Sequence, residues 1–138
     1  MNQFLRISTL LVMVLFVCSC ARKAMFNRSV VMPSASGEVK VKKDNNSNYS
    51  IRVTIKDMTV PENLTPPKKT YVVWSQTKKG ELINLGQINT SRSLLARGYK
   101  ASLSAVSSTK PQRIFVTGEE RPTVPQPSTT VILTTEDF

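Results

Sequence analysis

Histidine is missing from all 138 residues, and cysteine occurs only twice, at Cys18 and Cys20. Without histidine the chain cannot assemble a Ser-His or Cys-His nucleophile pair, and His/Cys zinc sites are excluded with it. Glycine is scarce as well: five residues, scattered, form no phosphate-cradling loop. Acids number 9 against 19 Lys and Arg. The only paired carboxylates are neighbours in sequence, Glu119-Glu120 and Glu136-Asp137, and adjacent residues on a strand point to opposite faces, so neither pair makes an acid/base dyad. Aromatics are not interleaved with the basic residues as single-strand nucleic-acid binders require. No enzyme, cofactor or metal site is expected, and no nucleic acid.

What is present begins with one apolar run. Arg6 precedes Ile7 to Val17, a charged start and apolar stretch of the length that export signals use, and too short for a spanning helix of about 20 residues. The run ends in Val17-Cys18-Ser19-Cys20, which resembles the bacterial lipobox: an aliphatic residue three places before a cysteine and a small residue just before it. Cys20 fits; Cys18 does not, because bulky Val17 occupies the position that wants a small side chain. The resemblance implies cleavage after Ser19, a diacylglycerol on the Cys20 thiol and, optionally, an acylated new amino terminus. A mature chain whose single cysteine is its first residue cannot close an internal disulfide, so packing alone must hold it. Multiple acyl chains, each burying methylenes at about 0.8 kcal/mol apiece, hold such a domain firmly, and Ala21-Arg22-Lys23 adds attraction to anionic head groups.

The organisation expected is a signal peptide over 1–19, a lipidated Cys20 and tether over 20–36, and one domain over 37–138. Residues Ala21 to Ser36 show little periodicity and carry Pro33 and a Ser-Ala-Ser-Gly stretch, although Met25, Phe26, Val30 and Val31 would also suit a first strand. Beyond them the period is two. Glu38 to Lys42 and Ser50 to Lys56 alternate around the turn cluster Asp44 to Asn48, which makes a hairpin with Val39, Val41, Ile51, Val53 and Ile55 inward. Pro61, Pro66 and Pro67 break the chain before Thr70 to Gln76, and the turn Thr77 to Gly80 leads into Leu82 to Asn89. Lys100 to Ser107, Arg113 to Glu119 and Thr129 to Thr135 complete the set, the last two joined by the Pro-rich loop Arg121 to Ser128. Ser91 to Arg97 reads as a helical turn or a short strand. About seven short strands with no long helix and no repeat indicate an all-β, immunoglobulin-like antiparallel sandwich, a small barrel being the alternative.

Two stretches, "MTVPENLTPPKKTYVVWSQTKKGELINLGQI" and "RIFVTGEERPTVPQPSTTVIL", look like the C-terminal extracytoplasmic domain of anti-sigma-K factors. The matching residues are Tyr71 and Trp74, Gly80, Leu85 and Gly86, Val116 and Thr117, Glu119, Pro122, Pro125 and Val131. The likeness covers roughly Ser36 to Leu133 and implies a shared fold and envelope location. In that family a His-x-x-x-Cys-x-x-Cys sigma-binding segment and a spanning helix precede the domain. This chain shows no such segment and has a lipid-anchor signature instead, so no sigma-factor partner is carried over.

A formal net charge of +10 favours anionic surfaces. Lys40, Lys42, Arg52 and Lys56 occupy the outward positions of the first hairpin, where they protect an edge, keep the domain soluble or, with Lys43, Lys68-Lys69 and Lys78-Lys79, form one positive face. Trp74 on a central strand is expected in the core. The function expected is therefore a lipid-anchored envelope module that binds a protein partner or serves a structural role without catalysis. The competing reading, a carbohydrate- or peptidoglycan-binding lipoprotein, requires Tyr71, Trp74 or Tyr99 exposed; a hydrolase requires Glu119, Glu120, Glu136 and Asp137 gathered on one face. Ala21 after the cysteine, in place of an acidic inner-membrane retention residue, points to the outer membrane, facing the periplasm, in a two-membrane cell.

Overall fold

The computed structural model describes residues 20–92 and 97–138. The expected signal peptide and residues 93–96 lie outside them. Apart from one 3-10 turn at Pro61–Asn63, the regular structure of the described residues is all strand: β1 (Arg22–Met25), β2 (Ser36–Lys43), β3 (Tyr49–Met58), β4 (Thr70–Gln76), β5 (Leu82–Ile88), β6 (Thr90–Ser91), β7 (Tyr99–Ser107), β8 (Arg113–Glu119) and β9 (Val131–Thr134). They form two antiparallel sheets, ordered β1-β2-β3-β7-β6 and β5-β4-β8-β9. Pairing is antiparallel throughout, an all-β sandwich as the alternating sequence predicts.

The inward residues of the first hairpin are as expected. Val39 lies opposite Val53 and Val41 opposite Ile51, and all four are buried with Ile55. The turn between them closes on Asp44, whose Oδ1 accepts the N–H groups of Asn46 and Asn48 at 2.8 and 2.9 Å. This is the side-chain turn that makes such Asp/Asn clusters strand breakers. From the second sheet Tyr71, Val73, Ile88, Ile114 and Val116 fill the same core. Between β4 and β5, Thr77 N–H bonds the Glu81 carbonyl at 2.9 Å and Gly80 takes φ 83°, a left-handed geometry that a side chain would strain.

Two expectations need correction. The tether over 20–36 is instead part of the domain: β1 pairs with β2, Arg22 opposite Val41 and Met25 opposite Glu38. Phe26, Met32 and Ala35 are buried, Asn27 N–H bonds the Thr134 carbonyl at 2.8 Å, and the Ser29 hydroxyl bonds the Ile132 carbonyl. Tertiary burial of three spaced apolar side chains overrides the weak local pattern. The strand count is also higher, nine among the described residues, because β1 and the two-residue β6 were below the length that alternation reveals.

Trp74 is buried, 1% exposed, as expected, but it lies outside the cluster between the two sheets. Tyr71 and Val73 face the opposite sheet, so Thr70, Val72 and Trp74 face outward. The connection between β8 and β9 folds over that outer face. Asn84 Nδ2 donates to the carbonyls of Pro122 and Val124 at 3.0 and 3.3 Å, and Ser128 Oγ donates to that of Gly118 at 2.8 Å. Sheet β5-β4-β8-β9 is thus covered on both sides along β4, which is why that strand reads as a continuous apolar run.

Candidate functional site

The geometry of the sandwich gathers distant residues around Cys20. Cys20 is exposed, two residues before β1, and β1 begins opposite the end of β2. Cys20 is therefore held at one end of the sandwich. Three connections turn at the same end: β2–β3, β4–β5 and β7–β8, since Lys43 lies opposite Tyr49, Tyr49 opposite Ser107, and Gln76 opposite Arg113. A cleft of about 310 Å³ opens beside Cys20, its apolar walls from Val41, Tyr49, Pro111 and Phe138 and its cations Arg22, Lys43 and Lys110. A second cleft, of about 370 Å³, shares Lys110, Pro111 and Phe138 and adds Lys78 and Asp137.

The positive face expected on the first hairpin divides. Lys40, Lys42, Arg52 and Lys56 are exposed along β2 and β3, but Glu38 Oε2 lies 2.6 Å from Lys23 Nζ and Oε1 3.0 Å from Lys40 Nζ. These two ammonium groups hold the Glu38 carboxyl below its usual range. Lys68 pairs with Glu120 at 3.6 Å before β4 begins, at the opposite end from Cys20. Lys43 and Lys78 stay with the Cys20 end. Lys110 belongs with them, and nothing in its own neighbourhood of sequence singles it out. Its signal is strand parity: it sits in a connection that turns at the same end as Lys43 and Lys78, a count obscured because β6 is too short to recognise.

The four carboxylates of the hydrolase reading have separate partners. Glu119 is buried beneath the β8–β9 connection, Glu120 is exposed beside Lys68, Glu136 accepts from Asn27 Nδ2 at 3.0 Å, and Asp137 is held by Arg113 at 2.7 Å. Among the described residues no group of three His, Cys, Asp or Glu side chains is placed to hold a metal ion, and no helix is long and apolar enough to cross a membrane.

Glu119 belongs to a relay the sequence did not reveal. Trp74 Nε1–H donates to Thr117 Oγ1 at 2.9 Å, Thr117 Oγ1–H donates to Glu119 Oε1 at 2.5 Å, and the Ser128 N–H donates to the same oxygen at 2.7 Å. Phe115 stacks on Trp74 with ring centroids 6.4 Å apart. The pairing of Trp74 with Phe115 and of Val72 with Thr117 across β4 and β8 makes this row possible. Its chemistry is that of a latch, pinning the connection to the sheet through satisfied buried groups.

The three aromatics of the glycan-platform reading are likewise placed. Tyr71 is buried, its hydroxyl donating to the Thr59 carbonyl at 3.0 Å, and that burial pushes the phenol well above its usual pKa. Trp74 is enclosed. Tyr99 is half-buried at the other end of the molecule, with the Arg92 guanidinium 5.8 Å from its ring centroid. The three do not form one exposed platform. Comparison with family models, curated proteins and solved structures returned no match to this chain.

Proposed function

We propose that the chain is a bacterial lipoprotein, anchored through acyl chains on Cys20, whose sandwich serves as a non-enzymatic protein-interaction or structural module of the cell envelope. The observation that carries this reading is the position of Cys20: the one cysteine among the described residues is exposed at the very start of the folded domain, directly after the lipobox-like Val17-Cys18-Ser19. A thiol there is open to a modifying enzyme and to a bilayer without disturbing the core. In a two-membrane cell the outer membrane, periplasmic face, is the location that Ala21 favours. Replacing Cys20 with Ala abolishes metabolic labelling by palmitate and releases the protein from the membrane fraction, whereas Cys18→Ala does neither. Unchanged labelling of the Cys20 variant refutes the anchor.

The immunoglobulin-like reading is supported by strand order, because β2-β3-β7-β6 against β5-β4-β8-β9 follows the sequence of strands in such sandwiches, with one added strand at the front. The residues that carry the likeness to anti-sigma-K extracytoplasmic domains fall with Tyr71 and Trp74 on β4, Gly80 in the turn, Leu85 and Gly86 on β5, Val116, Thr117 and Glu119 on β8, Pro122 and Pro125 in the connection and Val131 on β9. The partner favoured is another envelope protein, since sheet edges gain affinity from main-chain hydrogen bonds that salt hardly weakens. Cross-linking in intact cells followed by a high-salt wash retains such a complex. If only anionic polymers are captured and all of them elute with salt, the partner reading is wrong. The glycan-binding alternative is disfavoured by the burial of Tyr71 and Trp74.

A further inference from the structure

The Cys20 end of the sandwich carries more charge than an anchor point needs. Arg22, Lys43, Lys78, Lys79 and Lys110 come from four separate places in the chain and are all exposed there. No acid lies within ion-pair distance of any of them among the described residues. The acids at this end are mostly engaged: Asp44 accepts two backbone N–H groups of its own turn, and Asp137 is held by Arg113 and Gln112, leaving Glu81. The tips of the three turns and the first residues of the domain therefore make a positive end-face with Cys20 at its margin. The opposite end is basic too, with Lys69, Arg92, Arg97 and Arg121 exposed although Lys68 is paired with Glu120, so it is the position of Cys20 that selects the end.

We propose that this end-face docks on the anionic head groups of the bilayer that holds the Cys20 acyl chains, fixing the sandwich upright on the membrane. The inference rests on the lipid-anchor reading and adds an orientation to it. Two observations carry it: the absence of a tether, because β1 starts two residues after Cys20 and leaves no slack, and the charge complementarity of five cations to a phosphate-rich surface. Each basic side chain near an anionic bilayer favours contact about fivefold, and the effect falls off over a Debye length of about 8 Å at physiological salt. Cations at the turn tips meet that distance only if the strands stand on end; a domain lying on its side presents Lys40, Arg52 and Lys56 instead.

The test uses the full-length protein purified from membranes and placed in vesicles of phosphatidylcholine alone or with about one third phosphatidylglycerol, compared by hydrogen exchange. Mass of the N-terminal peptide reports acylation in the same sample. Anionic vesicles are expected to slow exchange severalfold in the turns 44–48, 77–81 and 108–112 and not along β2 or β3, with the difference lost in 0.5 M NaCl. The combined variant Lys43→Glu, Lys78→Glu, Lys79→Glu, Lys110→Glu is expected to lose the protection while Trp74 keeps its native emission, which shows that the fold persists. An acylated peptide with the same exchange in both vesicles, or protection along the sheet face, overturns the docking face and leaves the anchor standing. A peptide without acyl mass overturns the anchor and the docking face together.

Discussion

Whether residues 22–36 are tether or domain decides how closely Cys20 is held to the sandwich, and one pair of substitutions settles it. Phe26 is buried between the sheets, and its neighbours are stitched to both: Phe26 N–H bonds the Gly37 carbonyl at 3.0 Å and Asn27 N–H the Thr134 carbonyl at 2.8 Å. Truncating a buried Phe costs about 3–5 kcal/mol. Phe26 keeps 9% of its surface exposed and lies beyond an edge strand that can relax, so the lower figure applies, about 3 kcal/mol. Domains of this size are stable by about 5–15 kcal/mol, so the loss is a large share of the total. With a urea slope of about 1.5 kcal/mol per molar, the Phe26→Ala midpoint falls by about 2 M. Val30, four residues away and 95% exposed, is the internal control: Val30→Ala stays within about 0.5 kcal/mol. Urea unfolding followed by the emission of Trp74 reads both. If the two variants unfold at the same midpoint, the segment is a tether and the N-terminal strand contributes nothing to the fold.

Three further outcomes are expected. The Ser75 hydroxyl is buried with no hydrogen-bond partner among the described residues, so Ser75→Ala raises stability by about 1 kcal/mol or more in the same urea assay; a loss would show that the hydroxyl is satisfied. Thr117→Val removes both the acceptor for Trp74 Nε1–H and one donor to buried Glu119, and costs about 1–3 kcal/mol, with the folded protein still emitting at the short wavelength of enclosed indole. Glu38 has its pKa lowered by Lys23 and Lys40, so its contribution is complete above the ordinary carboxylate value and is lost as pH falls through the lowered one. Hydrogen-exchange protection of β1 therefore declines in acid, and Glu38→Gln, which has no charge to lose, flattens that dependence.

Legibility followed burial. Strands with one wet face, β2 and β3, were read to within a residue or two and with the correct inward side, because Val39, Val41, Ile51, Val53 and Ile55 alternate against Lys40, Lys42 and Arg52. β4 was found from its Tyr-Val-Val-Trp composition, yet its two faces could not be told apart, since a strand covered on both sides shows no alternation. The burial of Trp74 is therefore legible in the sequence, but its place under the β8–β9 connection is not. β1 escaped because four residues with one half-buried side chain carry no period. At the candidate site, Cys20 was legible from the local pattern before it. The cations around it were not, because their proximity depends on which end each connection turns, a property of topology that no local window contains.

The same topology ties Cys20 to the rest of the molecule. β3 runs ten residues from the Cys20 end to the other, about 33 Å at strand spacing, and it ends at an irregularity between Ile55 and Met58 where Asp57 takes φ 57°. A non-glycine residue in that conformation is held there by its surroundings. Here the surroundings are Gly98, where an added Cβ would stand 2.7 Å from the Asp57 Cα, so only glycine lets the two backbones approach. Arg92 and Arg97 flank the same spot, with Ser34 Oγ bonding the Asp57 carbonyl at 3.1 Å. The Cys20 end is made of tight turns, with Ser47 at φ 64° and Gly80 at φ 83°, while the irregular end of β3 lies at the opposite end of the sandwich. With the N-terminal strand clamped into the sheet, a domain standing on its cationic end would hold that irregular end a full strand length above the bilayer, where another envelope protein could reach it.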